Sequence, residues 1–149
     1  MKASSSLWRR LHLVYPLIPF GIEATLRVIL NQGLCWHSFN AYTLALIIMF
    51  TSFFVMRSLY TSGGDAENDE QKSERHNQAK TFEGIIMASL ALFIALILLE
   101  TMMTNNIKIK EQFKSSLIAL KVITYVLYPF FAYCTVRAQQ SFKLNTSTL

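Results

Sequence analysis

Four apolar blocks, each close to the length of a membrane-crossing helix, are separated by the segments that hold most of the charge. The hydrocarbon core of a bilayer is about 30 Å thick and needs roughly 20 apolar residues of helix. Inside it, each backbone amide and carbonyl must find its partner within the protein, so a spanning segment that does not close a barrel is helical. The blocks predict an all-α integral membrane protein: one membrane domain, four transmembrane helices in two hairpins. The expected spans are residues 11–30, 39–57, 82–103 and 117–136, with an inner loop at 58–81, an outer loop at 104–116 and a tail at 137–149. Only 15% of the 149 residues are charged, against about 25% in an ordinary soluble domain.

Lysine and arginine set the expected orientation. With the N-terminus inside, the inner flanks hold nine basic residues: Lys2, Arg9, Arg10, Arg57, Lys72, Arg75, Lys80, Arg137 and Lys143. The outer loop holds three, Lys108, Lys110 and Lys114. That bias puts both termini in the cytoplasm. It also accounts for the net charge of +5 without nucleic acid, for which no basic patch interleaved with aromatics speaks. The run after Arg10 is too long for a signal peptide and has no small-x-small site after it, so the first helix is expected to stay attached. Cys35 and Cys134 fall on opposite sides of this layout, too far apart to join. The absence of a targeting signal favours a bacterial inner (plasma) membrane.

"PFGIEATLRVIL" places Glu23 and Arg27 one turn apart inside the first span. That order and spacing favour pairing on a helix, and pairing lowers the cost of charge in hydrocarbon. Glu100 and Lys121 fall in the same outer half of the membrane and offer a second pair across the second hairpin. These four residues form the expected intramembrane charge network. Around them lie two polar stripes. His12, Pro16, Pro19, Glu23 and Arg27 follow helical steps on the first span. Lys121, Tyr125, Tyr128, Ala132 and Thr135 do so on the fourth.

Gly84, Ala88, Ala91 and Ala95 make a small-residue stripe on the third span, the pattern that lets membrane helices approach closely. Glu100 points almost opposite to it. A lone four-helix bundle satisfies both faces poorly, which favours a homo-oligomer. The loop residues Asp65, Glu67, Asp69, Glu70, Lys72, Glu74 and Arg75 offer a mixed-charge docking segment, within 61–80, for a cytosolic protein partner. Gly63 and Gly64 break the second helix, and Asp65 is a candidate cap for the next segment. That segment, free of Gly, Pro and β-branched residues, reads equally as an extension of the third helix or as a charged linker.

Catalytic and metal-binding patterns are missing. His12, His37 and His76 are isolated, no C-x-x-C or H-E-x-x-H occurs, and no glycine-rich phosphate loop is present. No enzyme activity, cofactor or metal is expected. The function these features favour is a non-enzymatic oligomeric membrane protein: a sensor, channel-like assembly or partner-docking subunit. Two alternatives remain. The four-helix size and Glu23 loosely resemble the small multidrug-resistance antiporters, a likeness that implies a carboxylate alternating between a proton and a cationic substrate. Arg27 competes with the proton for that carboxylate. The other alternative, a membrane immunity or phage-defence protein, rests on size and class alone.

Overall fold

The computed structural model describes residues 5–30, 40–62, 68–105, 107–142 and 144. Among them every regular element is helical. The order is α1 (Ser5–Arg9), a wider π-helical turn (Arg10–Val14), α2 (Leu17–Leu30), α3 (Ala41–Thr61), α4 (Asp69–Asn105) and α5 (Ile107–Phe142). Three helices are long and apolar enough to cross a membrane, and a fourth crossing arises if α1 and α2, bent by 43° at the join, count as one span.

The bend has a local cause in Pro16 and Pro19. Proline supplies no backbone N–H, so the carbonyls one turn before lose their normal helical donors. The chain answers with wider and tighter bonds: the Tyr15 amide donates to the Arg10 carbonyl at 2.9 Å, and the Ile18 amide to the Tyr15 carbonyl at 3.0 Å. Sharp kinks in helices usually sit at proline or at such π turns, and both are present here.

α3 has 21 residues, about 31 Å at 1.5 Å each, the thickness of a bilayer core. α4 has 37 residues and α5 has 36, so each runs about 54–56 Å. Both pass well beyond their apolar stretches. The helices therefore run beyond the expected spans. Most of the expected loop 58–81 is helix, residues 107–116 of the expected outer loop open α5, and α5 takes in the tail as far as Phe142. α4 starts at a good cap. The Asn68 Oδ1 accepts the Gln71 amide at 3.0 Å, and Asp69 and Glu70 occupy the first turn, where negative charge suits the helix dipole. Gly63, Gly64, Asp65, Glu67, Cys35, His37 and Asn145 lie outside the described residues.

α3, α4 and α5 form the main bundle. Leu44, Ile48, Val55 and Leu59 of α3 meet Ala79, Phe82 and Ile85 of α4 and Phe131 and Ala138 of α5. Phe82 and Phe131 pack edge to face, with ring centroids 6.4 Å apart. Leu144, just past α5, is buried in the same core. α1 adds Trp8, which is 0% exposed and stacked on His12 at 4.1 Å.

The outside of the bundle carries many large apolar side chains. Ile18, Ile22, Leu26 and Ile29 on α2, Phe50, Phe53 and Phe54 on α3, Met87, Ile94 and Leu98 on α4, and Val122, Val126 and Phe130 on α5 are all exposed. A water-soluble monomer rarely shows contiguous apolar surface on this scale. Lipid is the solvent that suits it. Polar residues in these helices mostly return to their own backbone. Thr51, Ser89 and Thr124 donate to carbonyls four residues earlier at 2.6, 2.7 and 2.9 Å, so a buried hydroxyl here does not require a partner helix.

Candidate functional site

Polar connections tie the described helices together, and three stand out. The first centres on Glu23. Its Oε1 accepts from Arg27 Nε at 3.1 Å and Nη2 at 2.8 Å, and from Asn40 Nδ2 at 2.6 Å. Its Oε2 accepts from Thr43 Oγ1 at 2.7 Å. Arg27 Nη2 also reaches the Tyr42 hydroxyl at 3.4 Å. A carboxylate in hydrocarbon is expensive unless its lone pairs are filled, and four donated bonds largely fill them. The donors come from two places: Arg27 by helical spacing, and Asn40 and Thr43 from the start of α3, where the Tyr42 hydroxyl accepts from Arg27. The site therefore clasps α2 onto α3.

The second connection is the pair Lys121–Glu100, with Nζ to Oε1 at 2.8 Å. Lys121 is 7% exposed, while the Glu100 side chain is 35% exposed. The pair joins α4 to α5. Because α3 and α4 run up and down in succession, the start of α3 and the end of α4 share one end of the bundle. Both charge pairs therefore sit toward that end.

The third connection lies at the bend. The Tyr128 hydroxyl donates to the Leu13 carbonyl at 2.6 Å. Helix ends leave carbonyls without intrahelical donors, and the break before Pro16 creates such an end between the π-helical turn and α2. Tyr128 of α5 covers it. Nearby, His12 is buried and its Nδ1–H donates to the Trp8 carbonyl at 2.9 Å. Tyr128 thus joins the bent N-terminal helical segment to α5, His12 bonds within its own segment, and Thr135 is fully buried on α5. Tyr125 is half-buried, Pro16 is half-buried and Pro19 is exposed.

Gly84, Ala88 and Ala91 face outward on α4, with Ala95 half-buried. A Cβ added at Gly84 meets nothing within 4 Å. The opposite face of α4 carries Phe82, Ile85, Ser89 and Leu96 into the core. Asp69, Glu70, Lys72 and Glu74 are exposed along the charged start of α4, whereas Arg75 is buried against the bundle. Tyr60, Lys72, Arg75 and His76 line a shallow pocket of 190 Å³ there.

Sequence reasoning missed Asn40, Tyr42 and Thr43. The available signal was the polar head of an otherwise apolar run, "NAYT", which had to lie at a membrane boundary near the turn from the first span. It also missed Trp8, whose position before the apolar block resembles that of any interfacial tryptophan. Trp8 Nε1, Ser52 Oγ, Ser58 Oγ and Thr135 Oγ1 are buried with no hydrogen-bond partner among the described residues. Such atoms are unusual in a finished core. No group of three or more His, Cys, Asp or Glu side chains with metal-binding geometry occurs among the described residues.

Compared with protein-family models, curated proteins and solved structures, the chain has no match.

Proposed function

We propose that this chain is a non-enzymatic membrane subunit that works by association. It crosses the bilayer four times, α1 and α2 together making the first crossing, with both termini in the cytoplasm. Copies join through the small-residue face of α4. The charged start of the same helix then presents the assembly to a cytosolic protein partner, so that the assembly acts as a sensor or docking platform. A bacterial plasma membrane suits the distribution of basic residues.

The observation that carries this reading is the placement of Gly84, Ala88 and Ala91. They lie on the outside of the fold while the other side of α4 is fully used as core. Lipid tails are as apolar as leucine, so association in a membrane depends on close van der Waals contact. Small residues facing lipid forgo such contact. Against a second copy they permit backbones to come close along almost two turns.

The test is cross-linking in native membranes, in a background with Cys35 and Cys134 replaced by Ser. Single cysteines at Ala88 and Ala91 should give disulfide-linked dimers on mild oxidation, and cysteines at Phe50 and Phe53, exposed on α3, should not. Ala88→Leu should abolish association of the otherwise unmodified chain while leaving its helicity and thermal stability unchanged. A strictly monomeric mass in nanodiscs, with equal cross-linking at all four positions, would refute the proposal.

Proton-coupled transport through Glu23 has less behind it. That carboxylate already accepts bonds from Arg27, Asn40 and Thr43, and a substrate cation would have to displace all of them. A defence role has no residue of its own behind it.

A further inference from the structure

Between the charged start of α4 and the end of α5 lies a pocket of 220 Å³. We infer that it binds the headgroup of a phospholipid carrying a primary ammonium, the chemistry of phosphatidylethanolamine. Glu74, Asn77, Gln78 and Thr81 of α4 form one wall, and Tyr133 and Arg137 of α5 form the other. Its level in the membrane can be read from the chain. The apolar stretch of α4 begins just after Thr81, and that of α5 ends at Val136, one residue before Arg137. The pocket therefore opens where hydrocarbon gives way to headgroups.

The polar groups are of two kinds, and a headgroup of this class needs both. Arg137 supplies a guanidinium, whose forked N–H groups match phosphate oxygens. Asn77 adds a side-chain amide donor beside it. Glu74 supplies a carboxylate for the ammonium. Gln78 Oε1 is buried and accepts no hydrogen bond from the described residues. A buried acceptor left unfilled is costly. An ammonium has three N–H donors and can fill it once the Gln78 side chain, which lines the pocket, turns its Oε1 outward. No ion pair within the chain joins Glu74 or Arg137 to another described residue, so both charges are available. The volume corresponds to about seven waters at ~30 Å³ each, the scale of one phosphate with a two-carbon amine. The acyl chains continue along the exposed apolar sides of α4 and α5.

Choline differs from ethanolamine in one respect that matters here: its nitrogen has no N–H. The full chain is placed in nanodiscs of equal phosphatidylethanolamine and phosphatidylcholine with matched acyl chains, and the lipids that stay bound are counted by native mass spectrometry. The wild type should retain the ethanolamine lipid with about two- to fivefold enrichment, the range of an accessible charged contact. Gln78→Leu and Glu74→Gln should each bring the ratio close to one. Arg137→Met should lower retention of both lipids alike, because the phosphate is common to them. Glu74 is exposed and outside the core, so Glu74→Gln keeps the test valid if Gln78→Leu disturbs folding, with helicity by circular dichroism as the check. Retention in the bulk ratio by the wild type would overturn the inference. So would enrichment that survives both Gln78→Leu and Glu74→Gln, or an Arg137→Met variant that retains lipid undiminished. Displacement of the lipid by excess soluble phosphoethanolamine would overturn the lipid assignment in favour of a free solute.

Discussion

Removing the two partners of the Lys121–Glu100 pair should have unequal effects, and the inequality comes from their exposure. Lys121 is 7% exposed, while a third of the Glu100 side chain reaches the surface, 35%. Breaking a buried pair by deleting one partner costs about 3–5 kcal/mol, because the other charge is left unpaired. Glu100→Gln leaves the ammonium stranded inside the bundle and should cost about 3 kcal/mol, the low end of that range, since a neutral amide still accepts one bond. Lys121→Met leaves a carboxylate that can turn toward the membrane boundary. That variant should cost about 1–2 kcal/mol, the expected share for a partly exposed carboxylate. Replacing both residues at once removes both desolvated charges, and such substitutions are often nearly neutral. The double variant Glu100→Gln/Lys121→Met should therefore be more stable than Glu100→Gln alone. The assay is reversible unfolding in mixed micelles, with helicity followed by circular dichroism and the four proteins compared as a double-mutant cycle. A double variant whose loss equals the sum of the single losses would refute the reasoning. So would Lys121→Met being the more damaging single change.

The remaining predictions concern the same helices. Glu23→Ala deletes an acceptor used by three side chains and should cost about 2–4 kcal/mol in the same unfolding assay, whereas Glu23→Gln, which keeps one oxygen, should lose about half as much. Tyr128→Phe removes only the bond to the Leu13 carbonyl; it should cost about 1 kcal/mol and speed amide hydrogen exchange in residues 10–18 without affecting α4. Asn68→Ala removes the cap of α4 and should cost about 1 kcal/mol, seen as faster exchange confined to the first turns of that helix.

The class of the fold could be read from the sequence because the constraint is crude. Blocks such as "GIIMASLALFIALILL" leave the backbone one economical conformation in lipid. The Glu23–Arg27 contact was equally legible, since helical spacing alone creates it. Glu100 and Lys121 needed a further step, the hairpin, and their charges and similar depth supplied it. Features set by helices meeting at particular rotations could not be read. Tyr128 finds Leu13 only because Pro16 interrupts the N-terminal helical segment at the level where α5 passes. Asn40 and Thr43 reach Glu23 only because α3 begins beside α2. The full lengths of α4 and α5 could not be read for another reason. Hydropathy marks where a helix leaves lipid, not where it stops, and "NDEQKSERHNQAK" has good helix formers with no breaker.

An unbroken α4 is also a lever. About thirteen residues, from Asp69 to Thr81, project past the apolar stretch, which is roughly 20 Å of stiff rod. Tilting that rod by about 10° within the bilayer swings its tip by about 3 Å, the length of a hydrogen bond. A small reorientation among the spans is thereby amplified before it reaches Asp69, and no flexible joint intervenes along α4 to absorb it.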